Sequence, residues 1–190
     1  MNVTSKIGRS DLKRVQVVLV RAENPINIGQ AARAMKNFGL SKLVLVRSTF
    51  HRVPEAYTPG WKARTLLDRA VVKRSLGDVI KGVSLAIGFT TRAGRRRGAP
   101  KPFVELIPQV LEMVKHQKVA LVFGNEKNGL SNEELAKCHL MATIPAVKEY
   151  SSLNLSHAVA ISASFLFHAT QEAREIFKKP ERFHTTPEDF

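Results

Sequence analysis

The run Lys118-Val-Ala-Leu-Val-Phe123 reads as a buried strand, and it passes directly into Gly124-Asn-Glu126-Lys-Asn-Gly129 and a helix cap at Ser131. Such a junction turns backbone amides and carbonyls toward a small ligand. Gly124 and Gly129 permit backbone conformations or close approaches that a side chain would obstruct. Glu126 places one charge inside the loop, where it reads as a loop-ordering carboxylate rather than an acid catalyst.

The rest of the chain repeats the theme of short apolar runs separated by helical patterns. Residues 15–20 form a β-branched strand ended by Arg21-Ala-Glu-Asn-Pro25, where asparagine and proline favour a loop. From Ile28 the residues Ala31, Ala32, Met35 and Phe38 follow helical spacing, and Gly39 sits where a terminator belongs. A strand at 43–46 follows, then a loop over 51–60 containing Pro54 and Pro59. A helix over 61–72 comes next, with a short strand at its end. Ser75 caps a short helix through Ile80, and 84–89 is another buried strand followed by a basic loop. A helix spans 103–115, kinked or started late by Pro108. After the strand at 118–123, Ser131-Asn-Glu-Glu134 fits a capping box for a helix to Cys138. A last strand at 140–144 precedes one long helix over 152–178. This order predicts an α/β fold with a mostly parallel sheet and helices on both faces. Ligands of such sheets bind outside the carboxyl ends of the strands, here after Val20, Phe89, Phe123 and Ile144. Nothing demands a second domain: residues 1–178 read as one, and 179–190 as a C-terminal tail.

Composition narrows the partners. Thirty Lys and Arg against sixteen Asp and Glu give a net charge of +14. That surplus fits a polyanion, nucleic acid first; a generally basic surface is the alternative, and composition leaves it open. No apolar run approaches the roughly 18 residues that cross a bilayer, and the first nine residues lack a secretory apolar segment. The single cysteine, Cys138, excludes an intramolecular disulfide. These features predict a cytoplasmic protein without a membrane partner. Several reaction classes lose support for want of their motifs: no dinucleotide fingerprint, phosphate loop, nucleophile elbow or zinc-protease helix is present. The six histidines do not cluster at ligand spacing, so no metal site is predicted.

Three segments carry a family resemblance: Asn27-x-Gly29-x-x-x-Arg33, Gly124-x-Glu126-x-x-Gly129-Leu-Ser131, and Ile144-Pro145 leading to Ser152-Leu-Asn154-Leu. In that order, over residues 14–170, they resemble the motifs of the SpoU/TrmH branch of SPOUT RNA methyltransferases. Within the branch, Arg21-Ala-Glu-Asn-Pro, Ala34-Met-Lys-Asn-Phe-Gly-Leu40, Asn132-Glu-Glu-Leu135 with Lys137-Cys-His139, and Glu149-Tyr-Ser-Ser-Leu-Asn154 are similar to TrmJ-type tRNA ribose methyltransferases.

The resemblance implies a C-terminal deep trefoil knot, a homodimer, and S-adenosylmethionine bound among the knot loops. Cofactor contacts would fall on Thr90, Thr91, Arg92, Gly124, Ile144, Ser151, Ser152 and Leu153, mostly through backbone atoms. The acceptor would be a ribose 2′-hydroxyl of RNA, in the TrmJ-type case at position 32 of the tRNA anticodon loop; ribosomal RNA, or RNA binding without catalysis, are the alternatives. Arg33 is the residue marked as catalytic. Guanidinium groups stay protonated in proteins, so Arg33 reads as a charge that binds the adjacent phosphate and stabilises the developing alkoxide. Ser152 would orient the hydroxyl and Asn154 would hold the site, while simple helix N-capping explains their position equally well. Asn27 and Gly29 shape the helix start that presents Arg33. The segment 90–101, with Arg92, Arg95, Arg96, Arg97 and Lys101 and no acid, reads as an RNA phosphate track or a solvated loop.

Overall fold

The computed structural model describes residues 7–8, 10–92 and 98–170. Its strands are β1 (Val15–Val20), β2 (Lys42–Val46), β3 (Val71–Lys73), β4 (Leu85–Phe89), β5 (Lys101–Pro102), β6 (Val119–Phe123) and β7 (Leu140–Thr143). The helices are α1 (Pro25–Asn37), α2 (Pro54–Gly60), α3 (Arg64–Asp68), α4 (Leu76–Ile80), α5 (Phe103–Val114), α6 (Asn132–Lys137) and α7 (Leu155–His168). Among the described residues the strands form one seven-stranded sheet in the order β3-β2-β1-β6-β4-β7-β5, and every pairing is parallel.

The sheet is apolar on both faces, which explains why its strands read as continuous runs. Val17 and Leu19 of β1 belong to one core with Ile28, Met35, Phe103, Val110 and Val159. Val18 and Val20, on the alternate face, join a smaller core with Leu76 and Val79 of α4 and Leu135 of α6. Helices therefore cover both faces. Central strands β1, β6 and β4 pair so that β1 and β6 run in register from Val15 with Val119 to Leu19 with Phe123. Their carboxyl ends thus emerge together.

The structure differs from the sequence reading at several places. Residues 51–60 are not a loop: a 3-10 turn at Phe50–Arg52 leads into α2. Pro54 occupies the first helical turn, where its missing N–H has no intrahelical partner to lose. Pro25 plays the same part in α1, with the Asn24 side chain accepting from the amides of Ile26 and Asn27. The segment 61–72 is helical and ends in a short strand as read, but the helix is in two pieces, a 3-10 turn at Trp61–Ala63 and α3, ahead of the exposed edge strand β3. Pro108 neither delays nor divides α5, which runs from Phe103. The two-residue β5, beside β7, falls inside what reads as basic loop. Helix α7 starts at Leu155 behind an Asn154 cap, not at Ser152.

Candidate active site

Four loops meet at the carboxyl edge of the sheet. After β6 the chain doubles back so tightly that a Cβ on Gly124 would lie 1.9 Å from the carbonyl carbon of Gly129 and 2.1 Å from the Leu130 nitrogen. The turn is closed by the Gly129 amide donating to the Asn125 carbonyl at 3.0 Å and the Asn128 amide donating to Asn125 Oδ1 at 2.9 Å. Gly129 itself has φ +64°, a left-handed conformation that a side chain strains.

Against this turn lies a cavity of about 270 Å³. Its floor is rigid and apolar: the Phe89 and Phe123 rings stack at 4.3 Å, and Phe103 meets Phe89 edge-on at 4.9 Å. Thr90, Thr91 and Arg92 after β4, Gly124 after β6, Ile144 after β7, and Ser151, Ser152 and Leu153 before α7 all line it. The fold thus gathers all eight residues singled out for a cofactor around one space. Arg92 reaches from the loop after β4 to the glycine turn, its guanidinium donating to the Leu130 carbonyl.

A broader groove continues from the cavity past Glu126, Lys127, Ser152 and Leu153, which line both, toward Asn27, Asn154 and His157. A chain of polar side chains underlies it. Glu126 accepts hydrogen bonds from the amides of Glu23 and Asn24 at 3.3 and 3.2 Å and from Asn27 Nδ2 at 3.1 Å. Asn154 Nδ2 donates to Asn27 Oδ1 at 3.0 Å, and Asn154 Oδ1 accepts from the Ser156 amide at 2.8 Å. The Ser156 hydroxyl lies 2.7 Å from Asn154 Oδ1 and 2.9 Å from Gln30 Oε1. One carboxylate and two amides thereby tie the start of α1, the glycine turn and the start of α7 into one unit. Asn154 caps α7 while doing so.

Arg33 lies one turn further along α1 from Gln30, exposed, and lines neither the cavity nor the groove. Gly29 is where α1 meets α2: a Cβ there would stand 2.0 Å from the Ala56 carbonyl oxygen. Lys101 is exposed on β5, and Arg95, Arg96 and Arg97 lie outside the described residues. Among the described residues no group of three or more His, Cys, Asp or Glu could hold a metal ion. His139 is a structural residue whose Nδ1 accepts the Ala86 amide at 2.9 Å. Burial, aided by the Glu134 charge, pushes the Cys138 thiol up to about 12, so it offers no thiolate at neutral pH.

Residues 14–164 match the SpoU rRNA Methylase family. The chain belongs to that family. Among relatives of this SpoU methylase, the tRNA (cytidine/uridine/adenosine-2′-O-)-methyltransferase TrmJ of Pseudomonas aeruginosa (strain UCBPP-PA14) is 38% identical over 179 residues, covering 92% of this chain and 68% of the relative. The tRNA (cytidine/uridine-2′-O-)-methyltransferase TrmJ of Pectobacterium atrosepticum is 39% identical over 155 residues, covering 80% of this chain and 63% of the relative. The chain therefore spans about two-thirds or less of these relatives' length. A probable methyltransferase from Bordetella pertussis Tohama I superposes with TM-score 0.78 at 33% identity, covering 85% of this chain and 99% of that one. TrmJ from Z. mobilis ZM4 does so with TM-score 0.72 at 31% identity, covering 83% and 69%.

The SpoU chain also carries a clamp that the sequence reading misses. Arg21, in the left-handed region at φ +55°, binds Glu134 through both carboxylate oxygens at 2.9 and 2.8 Å and donates to the Gly129 carbonyl at 3.1 Å. Glu134 is legible as the far end of the Ser131 capping box, but its second partner stands 113 positions away and leaves no local signal. Burial by itself raises the Glu134 carboxyl. Hydrogen bonds from Arg21 and Ser131 and the guanidinium charge outweigh it and hold the group below its usual 4.5. A depressed folded-state value means that the pair stabilises fully above about pH 4.5 and loses its contribution as pH falls through the lower, folded value. Glu134→Gln is expected to cost about 1–3 kcal/mol at neutral pH and to flatten the acid side of the stability profile. Thermal unfolding from neutral pH to about pH 3 measures both, and an unchanged Tm at neutral pH refutes the clamp.

Proposed function

We propose that this SpoU methylase transfers a methyl group from S-adenosylmethionine to a ribose 2′-oxygen of RNA, in tRNA at anticodon-loop position 32. The observation that carries the reading is the cavity itself, ringed by the loops after β4, β6 and β7 and opening at Ser152 into a polar groove. Its residues fit the cofactor. Gly124 and Gly129 of the turn line the space with main chain alone, and the Phe89–Phe123 floor suits an adenine or thioether surface. At about 270 Å³ it lies near the lower bound of roughly 300–1,000 Å³ typical of small-molecule sites.

When bound, the sulfonium supplies an electrophilic methyl group and leaves as a neutral thioether. The chain's own residues do the rest. Ser152, at the boundary of cavity and groove, orients the hydroxyl; Arg33 binds the neighbouring phosphate and stabilises negative charge on the acceptor oxygen as the hydroxyl proton passes to that phosphate or to water. Asn27, Glu126 and Asn154 hold the walls in register, and Lys101 with Arg95, Arg96 and Arg97 extends the phosphate track. Arg33 is exposed on α1 and lines neither the cavity nor the groove of its own chain, so its contact with the acceptor strand is made where a second subunit completes the site.

The same reading makes residues 1–178 one unit, with the C-terminal chain threaded as a trefoil knot, acting in the cytoplasm as a homodimer. Support for the knot is the insertion of β7 between β4 and β5, before the chain returns to pack α7 on α1. Support for the dimer is the half-buried apolar row Ile161 and Phe165 on α7. The test is to incubate the protein with labelled S-adenosylmethionine and total tRNA and ribosomal RNA and to map ribose methylation. Label at tRNA position 32 is the expected result. Label only in ribosomal RNA displaces the tRNA assignment, and no label in either overturns methyl transfer.

A further inference from the structure

The surface formed by α2, the Trp61–Ala63 turn and α3 is absorbed by nothing above. Trp61 stands 67% exposed, an unusual position for the chain's one tryptophan. Beside it the Arg64 guanidinium sits 5.9 Å from the Trp61 ring centroid and 5.5 Å from that of Tyr57. Both are within the range of a cation–π contact. Arg64 is held in place by Asp68 at 3.8 Å, and Asp68 also accepts the Tyr57 hydroxyl at 2.7 Å. A planar cation thus lies over two exposed aromatic rings, leaving the far faces of the rings open to solvent. That pairing stacks the π-face of a base and leaves its edges free.

The charge around it is strongly positive in balance. Residues 50–70 and α1 together carry six Lys and Arg against two acids, Glu55 and Asp68, and Asp68 is already engaged. The patch also reaches the exposed side of α1 that carries Arg33. Lys36 of α1 donates through Nζ to the Lys62 carbonyl, next to Trp61, and Lys36 lies three residues from Arg33 on the same helical side. Arg33, Lys36, Lys62 and Arg64, all exposed, therefore lead from α1 to the tryptophan.

We propose that this basic–aromatic face is the RNA-docking platform of the enzyme, with Trp61 and Arg64 stacking an unpaired base of the strand whose phosphates pass Lys62, Lys36 and Arg33. The assignment rests on the RNA substrate proposed above and adds where the strand lies.

Because Trp61 is the sole tryptophan, its fluorescence reads the contact directly. A short single-stranded oligouridylate should quench it, and inorganic polyphosphate, which matches the charge without bases, should not. Trp61→Ala should weaken tRNA binding roughly 5- to 150-fold, the range of one lost base–aromatic stack, and Trp61→Tyr should recover most of it. S-adenosylhomocysteine affinity should stay unchanged in both variants. Absence of quenching by oligouridylate, equal quenching by polyphosphate, or unaltered tRNA affinity in Trp61→Ala overturns the platform. Conversion of a sedimenting dimer to monomer by Trp61→Ala also overturns it, and makes the face an interface between copies. If the wild-type protein binds no S-adenosylhomocysteine while oligouridylate still quenches Trp61, methyl transfer falls and the platform stands.

Discussion

Arg33→Ala is expected to lower methyl transfer by about 10²–10³-fold, corresponding to the roughly 2.7–4 kcal/mol lost with one charge-stabilising donor. S-adenosylhomocysteine affinity should hardly change. The structure separates the two effects: Arg33 is exposed on α1 and lines no part of the cavity, so its removal leaves the donor site as it is. Arg33→Lys should recover little, because a point-charge ammonium cannot span a phosphate and a ribose oxygen as a planar fork does. Single-turnover methylation with excess enzyme and calorimetric titration of S-adenosylhomocysteine measure the two quantities. Near-normal turnover in Arg33→Ala would sink the proposed mechanism.

A second large effect is expected from one added methyl group. Gly124→Ala would place a Cβ 1.9 Å from the Gly129 carbonyl carbon, 2.1 Å from the Leu130 nitrogen and 2.3 Å from the Gly129 oxygen. All three are backbone atoms of one turn and cannot rotate away, so the turn must open. Overpacking of this kind costs typically 1–3 kcal/mol, more where the backbone itself has to move. The opened segment is the cavity wall, so S-adenosylhomocysteine affinity should fall at least about tenfold, the equivalent of 1.4 kcal/mol. By contrast Gly77→Ala meets only the Ser75 hydroxyl at 3.5 Å and serves as a control. Thermal unfolding and calorimetry on both variants decide the matter. A Gly124→Ala protein with unchanged Tm and affinity would show that the turn relaxes freely.

Much of this architecture is legible in the chain, for identifiable reasons. The strands β1, β2, β4, β6 and β7 announce themselves because both faces of the sheet are covered, which forces uninterrupted apolar runs such as Val-Ala-Leu-Val-Phe. The capping boxes at Ser75 and Ser131 are local and appear as expected. Proline misleads twice in the same way. Pro54 and Pro59 suggest a loop where α2 forms, and Pro108 suggests a break where α5 continues, because a helix of few turns has little bonding for one proline to remove. Strand β5 has two residues and no pattern to detect. The residues around the cavity could be named only through resemblance, since Ile144 and Leu153 carry no chemistry of their own. The bonds among Asn27, Gln30, Asn154 and Ser156 had no sequence signature at all, being fixed by how α1 and α7 pack.

The polar chain beneath the groove also bears on how the molecule folds. Its links join residues 99, 126 and 127 positions apart, and the Arg21 clamp spans 113. Each must close a long loop before it returns any free energy, and contacts of such separation form slowly. The glycine turn and the first helix can therefore exist, complete in sequence, on a nascent chain that has no working pocket. Only when Asn154 and Ser156 arrive and lock onto Asn27 and Gln30 do the walls come into register. The site is completed late, by the last described helix, and a chain released short of it would lose both this lock and the core residues Leu155, Val159, Ala163 and Leu166.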